Sequence, residues 1–173
     1  MYLLFCYNTD MLKKRALTDN DRIRYQTPPT RDSIKEFTCV DRRTEDYRDK
    51  LDKEAFAILF GDGTERAFSH PLYQLKEKGQ YLCKACGQPL FGSETKYDSG
   101  TGWPSFYAPL TFAKVDYEVD FYLLMPRVAV LCSCCHGHLG HVFEDGPEPT
   151  GLRYCLNGGA LEFLRDEEDD LNG

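Results

Sequence analysis

The stretch Cys132-Ser133-Cys134-Cys135-His136-Gly137-His138-Leu139-Gly140-His141-Val142-Phe143 places two cysteines at CxxC spacing directly before a strand-like run. Upstream, Cys83-Lys84-Ala85-Cys86-Gly87 repeats that spacing, with glycine supplying the tight turn. Two such knuckles bring four soft thiolates together, a donor set that suits tetrahedral zinc. The span from Cys86 to Cys132 is longer than a compact zinc ribbon allows, so one ion per chain would staple distant strands together. A pair of disulfides or a redox dithiol is the competing reading of the same cysteines. In the second knuckle Cys134 or His136 could replace a ligand, but Cys132 and Cys135 reproduce the first knuckle's spacing and are preferred.

Outward from these knuckles the chain reads as short strands separated by Gly, Pro, Asp and Asn. The runs are Tyr81-Leu82-Cys83, Pro89-Leu90-Phe91, Tyr117 to Leu124, Val128 to Cys132, Leu139 to Phe143, Leu152 to Leu156 and Ala160 to Leu164. One helix is expected from Asp46 to Phe60, where Tyr47, Leu51, Ala55, Ile58 and Leu59 follow the 3.6-residue period. Gly61-Asp62-Gly63 ends it. The expected fold is mainly β, with a helical approach. Residues 1–45 are polar, mixed in charge and interrupted by Pro28-Pro29, an extension and not a second core. A domain over 46–165 follows, and 166–173 form an acidic tail of the kind that stays solvated.

The chain has 173 residues, 42% of them hydrophobic and 28% charged, which excludes wholesale disorder. With 21 basic against 28 acidic residues the net charge is −7, which argues against nucleic acid as a partner. No run reaches the ~18 apolar residues of a membrane-spanning helix, so no membrane role is expected. The opening Tyr2-Leu3-Leu4-Phe5-Cys6-Tyr7 has neither a preceding basic stretch nor a following small-residue cleavage site. A cytoplasmic location is therefore expected, with an organelle as the alternative, and a compartment where thiols stay reduced favours zinc over disulfides.

His138 and His141 are odd-spaced on a strand and share a face only if the glycine between them bends or bulges the chain. Together they would hold protons near neutral pH. The alternatives are two half-buried structural histidines, or a metal site that uses both. Cys155, in Leu152-Arg153-Tyr154-Cys155-Leu156-Asn157, sits apart from the knuckles. An isolated cysteine is usually an inert buried hydrophobe. Arg153, two residues away on the same strand face, would favour the nucleophilic thiolate, and Asn157 shares that face. Trp103, the only tryptophan, lies on the glycine-rich loop Gly100-Thr101-Gly102-Trp103-Pro104, either as packing or as an apolar wall.

Taken in order, Gly63-Thr64-Glu65-Arg66-Ala67-Phe68, the two knuckles, Tyr97-Asp98-Ser99-Gly100-Thr101-Gly102-Trp103-Pro104-Ser105-Phe106, Gly137 to Phe143 and Thr150 to Asn157 resemble the methionine sulfoxide reductase B family. The resemblance covers residues from about 50 to 165. It implies two antiparallel sheets packed together, with short N-terminal helices and a structural zinc held by Cys83, Cys86, Cys132 and Cys135. It further implies that Cys155 attacks the sulfur of the R epimer of methionine sulfoxide. His141, assisted by His138, would protonate the departing oxygen, and Trp103 would pack against the substrate methyl. Asn157, Arg153 and Asp145 would support the pocket. The product is methionine, with a sulfenic acid left on Cys155.

Many family members resolve that sulfenic acid with a cysteine at the position occupied here by Thr101, and threonine cannot do so. Cys39 is the candidate internal resolving thiol. The alternative is an external thiol of the thioredoxin or glutathione type. Oxidised proteins or free methionine sulfoxide are the expected substrates, and the chain is expected to act as a monomer. The rival function is a non-catalytic zinc-bound β module for protein interaction, which would have no need of Cys155, His138, His141 and Trp103 together.

Overall fold

The computed structural model describes residues 47–120 and 126–166. Asp52 starts the helix by accepting a hydrogen bond from the Ala55 amide at 2.7 Å, a cap worth about 1 kcal/mol. Helix α1 therefore spans Lys53–Phe60, shorter than the expected run from Asp46. The apolar period extends further back because Tyr47 packs onto the helix from outside it: its ring stacks on Phe60, with centroids 5.2 Å apart. Ala55, Ile58 and Leu59 form the buried face of α1.

Among the described residues nine strands follow: β1 (Gly79–Cys83), β2 (Pro89–Gly92), β3 (Lys96–Tyr97), β4 (Ser105–Phe106), β5 (Val115–Asp120), β6 (Arg127–Cys132), β7 (His138–Phe143), β8 (Arg153–Leu156) and β9 (Leu161–Arg165). They make two antiparallel sheets, β2-β1-β9 and β3-β4-β8-β7-β6-β5. The fold is the mainly β, two-sheet arrangement expected. All seven sequence-read strands are present within a few residues, whereas β3 and β4 are new. At two residues each they are too short to show any alternation. The strand expected up to Leu124 is described as far as Asp120, and the remainder lies outside the described residues.

The sheets meet through aromatic rings. Tyr81 of β1 lies 4.9 Å from Phe106 of β4, and Phe91 of β2 lies 4.7 Å from Phe106 and 5.5 Å from Tyr154 of β8, by centroid. All four are fully buried. Truncating any one to alanine should cost about 3–5 kcal/mol. Because side chains alternate along β8, burying Tyr154 and Leu156 in this core turns Arg153 and Cys155 to the opposite face. That face carries the second set of side chains described below. Among the described residues no helix is long and apolar enough to cross a membrane.

Candidate active site and the four-cysteine cluster

The β1–β2 turn and the β6–β7 turn each carry a knuckle, and the fold brings them together. The sulfur atoms of Cys83, Cys86, Cys132 and Cys135 all lie within 4.8 Å of one another. Cys83 faces Cys135 and Cys86 faces Cys132, each pair at 3.6 Å. Four sulfurs around a metal at about 2.3 Å stand roughly 3.8 Å apart, so the cluster fits a tetrahedral ion. The residue after each second cysteine, Gly87 (φ 77°) and His136 (φ 58°), turns through the left-handed region. His136 is thus an exposed turn residue, and Cys134 also stands outside the cluster. Gln88 was not evident from the sequence: its amide donates to Cys132 Sγ at 3.5 Å and to the Lys114 carbonyl at 2.8 Å.

Register builds the other site. Cys155 of β8 pairs with Ser105 of β4 on one side and with His141 of β7 on the other. Between β6 and β7 the pairing steps from Val130↔Gly140 to Leu131↔His138, leaving Leu139 as an extra residue. This bulge is the bend that the histidine spacing required. It puts His138 and His141 on one face, with ring centroids 5.2 Å apart. Gly140 is needed for close approach, since a side chain there would run into the Cys155 carbonyl oxygen.

The electrostatics of Cys155 differ from the sequence expectation. Burial pushes its thiol up from the ordinary value, although hydrogen bonding to Thr101 and the charge of Arg153 pull the other way. Arg153 is shared: its Nε and Nη2 each donate to Asp145 at 2.8 Å, and its guanidinium lies 4.3 Å from the Phe143 ring. The Asp145 carboxylate is held low by that pairing and is largely exposed. In the free protein, then, Cys155 is a thiol. Burial also lowers both His138 and His141, leaving neutral imidazoles, with Asp120 partly opposing the shift at His141.

Hydroxyls surround Cys155. Thr101 Oγ1 lies 3.7 Å from Cys155 Sγ, Ser99 Oγ lies 2.8 Å from Thr101 Oγ1, and Ser105 Oγ lies 2.7 Å from Ser99 Oγ. Beside them opens a groove of about 430 Å³ lined by Tyr97, Ser99, Thr101, Asp145 and Arg153, among others. Trp103 is half-buried, and its indole N–H donates to the Glu65 carbonyl at 3.2 Å. Asn157 is buried, and its side chain is committed to the backbone: it accepts from the Glu65 amide at 3.1 Å and donates to the Leu139 carbonyl at 3.2 Å. It braces the bulge and does not face open space.

Glu65 stands at the centre of that bracing, with its two carboxylate oxygens accepting from the Gly158 and Gly159 amides at 2.7 Å each. Its partners lie more than ninety residues away, so nothing local marked it. Asp120 and Arg127 are likewise new: Asp120 Oδ2 lies 2.8 Å from His141 Nε2 and 2.6 Å from Arg127 Nη2. Cys39 lies outside the described residues, as do residues 1–46 and 167–173.

A family model described as the SelR domain matches residues 51–165. The chain belongs to the SelR-domain family. Within it the chain is similar to several curated relatives, each called peptide methionine sulfoxide reductase MsrB. That of Hahella chejuensis is 50% identical over 124 residues, spanning 72% of this chain and 89% of the relative. That of Leptospira interrogans is 51% identical over 127 residues, 73% of this chain and 97% of the relative. The protein of Methanosarcina mazei is 51% identical over 129 residues, 75% of this chain and 92% of the relative. As a SelR-domain chain it therefore matches these relatives over nearly their whole length. The matched region holds both cysteine sites.

Proposed function

We propose that this chain reduces the R epimer of methionine sulfoxide, protein-bound or free, with Cys155 as the nucleophile. The observation that carries this reading is the strand register that sets His141 directly beside Cys155, with His138 brought to the same face by the bulge. The membership in a family of MsrB reductases supplies the substrate class.

In the reaction the sulfoxide S–O bond breaks and an S–O bond forms on Cys155. The substrate sulfur gains the two electrons that Cys155 loses, and the products are methionine and a sulfenic acid. The proton that leaves the Cys155 thiol ends on the sulfenic oxygen, so the step balances without another reductant. A neutral, buried imidazole is suited to move that proton, because it accepts from the thiol and returns the proton to an oxygen that is a poor leaving group until protonated. His141 takes this part, with His138 beside it. Trp103 walls the methyl side. Arg153 and Asp145 shape the neighbouring groove, and Asn157 positions the bulge.

Regeneration then requires a thiol. A side chain at position 101 touches the nucleophile's sulfur, and here it is a hydroxyl, so the sulfenic acid meets either Cys39 or an external thiol of the thioredoxin or glutathione type. Cys83, Cys86, Cys132 and Cys135 would hold one zinc ion, whose part is to tie the two knuckles together. Turnover of the separated R and S epimers with dithiothreitol tests the reading: the R epimer is expected to be consumed and the S epimer spared. Equal turnover would remove the stereochemical assignment, and no turnover of either would remove the activity.

A further inference from the structure

The carboxylate of Asp120 is placed where it decides which nitrogen of His141 does the work. Asp120 ends β5, and Arg127, its register partner, begins β6. Arg127 lies two residues from Ala129, which is the register partner of His141. Side-chain alternation therefore puts Asp120, Arg127, His141 and Cys155 on one face of four successive strands. Asp120 Oδ2 contacts both Arg127 Nη2 at 2.6 Å and His141 Nε2 at 2.8 Å, and all three side chains are at most 29% exposed. A carboxylate paired with a guanidinium carries no proton to give, so the hydrogen in its bond to the imidazole belongs to Nε2. Nδ1 is left as the basic nitrogen.

We propose that Asp120 is a positioning residue: with Arg127 behind it, its carboxylate holds His141 as the Nε2–H tautomer, so that Nδ1 exchanges the proton in the reaction. Resting on the function proposed above, this makes Nδ1 the atom that takes the Cys155 thiol proton and passes it to the sulfoxide oxygen. The logic is that of a carboxylate–histidine–nucleophile array, in which the carboxylate selects tautomer and orientation without itself being protonated. The charged or titratable groups facing His141 are Asp120 from β5, Arg127 from β6, His138 from β7 and Cys155 from β8. Among the described residues, Asp120 is the one anion of this set. Its loss should make the imidazolium harder to form, in keeping with the direction of its influence on His141.

The decisive measurement is long-range proton–nitrogen correlation of the His141 ring in the full, metal-loaded chain at neutral pH. Nε2–H is expected, and an Nδ1–H tautomer would overturn the proposal whatever the turnover assay gives. Asp120→Asn should mix the tautomers and slow single-turnover reduction of the R sulfoxide by about 10–100-fold. KM should change little, and the limb of the pH profile that reports His141 protonation should move to lower pH. In a His141→Asn background the same substitution should cost nothing more, because Asp120 acts through that ring. A rate within twofold of the parent, or full additivity with His141→Asn, would overturn the assignment. Should Asp120→Asn fail to fold, the tautomer of the unaltered protein decides alone. If the unaltered protein reduces neither epimer yet shows the Nε2–H tautomer, the functional reading fails and the positioning stands.

Discussion

At the ends of β1 and β6, four cysteines face one another with every sulfur within 4.8 Å of the others, whereas in the middle of β8 the Cys155 sulfur meets a threonine hydroxyl at 3.7 Å. The first arrangement suits a soft cation, which would engage every sulfur. The second leaves one thiol beside an imidazole and a groove. In the function proposed above, one residue type thus serves as a staple or as a nucleophile, and the choice lies in what stands opposite it. The backing differs too. Turns in the left-handed region aim the cysteines of the cluster. Strand register and one bulge aim Cys155 and the histidines.

If the cluster is a metal staple, stripping the metal under reducing conditions should have the largest effect on the molecule. The loss of cooperative unfolding, followed by circular dichroism, is the expected outcome, because binding energy at such sites is largely folding energy. An apo protein with an unchanged melting curve would break the contrast. Cys155→Ser should do the opposite, leaving the melting temperature within about 2 °C while reduction falls by three or more orders of magnitude, on the order seen when a nucleophile is removed from an acting unit.

Gly140→Ala should touch both properties. Its new methyl group meets the Cys155 carbonyl oxygen, so a destabilisation of about 1–3 kcal/mol is expected by denaturant titration, with a loss of activity as well. The resting state of the nucleophile can be read from iodoacetamide alkylation of Cys155 against pH. A midpoint above 9.0, the ordinary value, is expected, and Arg153→Gln should move it higher still, since the arginine favours the thiolate. A midpoint near 7 would show that Arg153 outweighs burial. The smallest effect should come from Lys84→Ala, which removes a 2.8 Å ion pair between the first knuckle and the α1 cap. That pair is partly exposed and worth about 0.2–1 kcal/mol.

The pH dependence of stability has a sign of its own. His138 and His141 are both lowered by burial, so the unfolded chain takes up their protons first as pH falls. Their contribution is present above about 6.5 and is lost as pH drops through their folded values, which melting curves between pH 7.5 and 5 would show. Asp120→Asn lowers His141 further and should steepen that loss.

The amino-acid sequence by itself determined the elements whose signals are local. The paired CxxC spacing, the seven strand runs and the isolation of Cys155 are all written within a few residues, and each is found in the fold. It also stated the condition for the two histidines to meet, a bend at the glycine between them. What the tertiary structure alone decided is everything that depends on register or on burial. The helix start moved to Lys53 because Asp52 found an amide to cap, β4 exists because β8 offers it an edge, and β3 because β4 does in turn. Cys155 is a thiol and not a thiolate, since the loss of water on burial outweighs the Arg153 cation and the neighbouring hydroxyls. Asn157 became a brace, and Glu65, Gln88, Asp120 and Arg127 gained their parts from partners seven to ninety-four residues away. A carboxylate carries the same signature in sequence whether it faces water or an imidazole. Only the packing of strands across one face decides which partner it meets, because that packing joins residues that no local pattern relates.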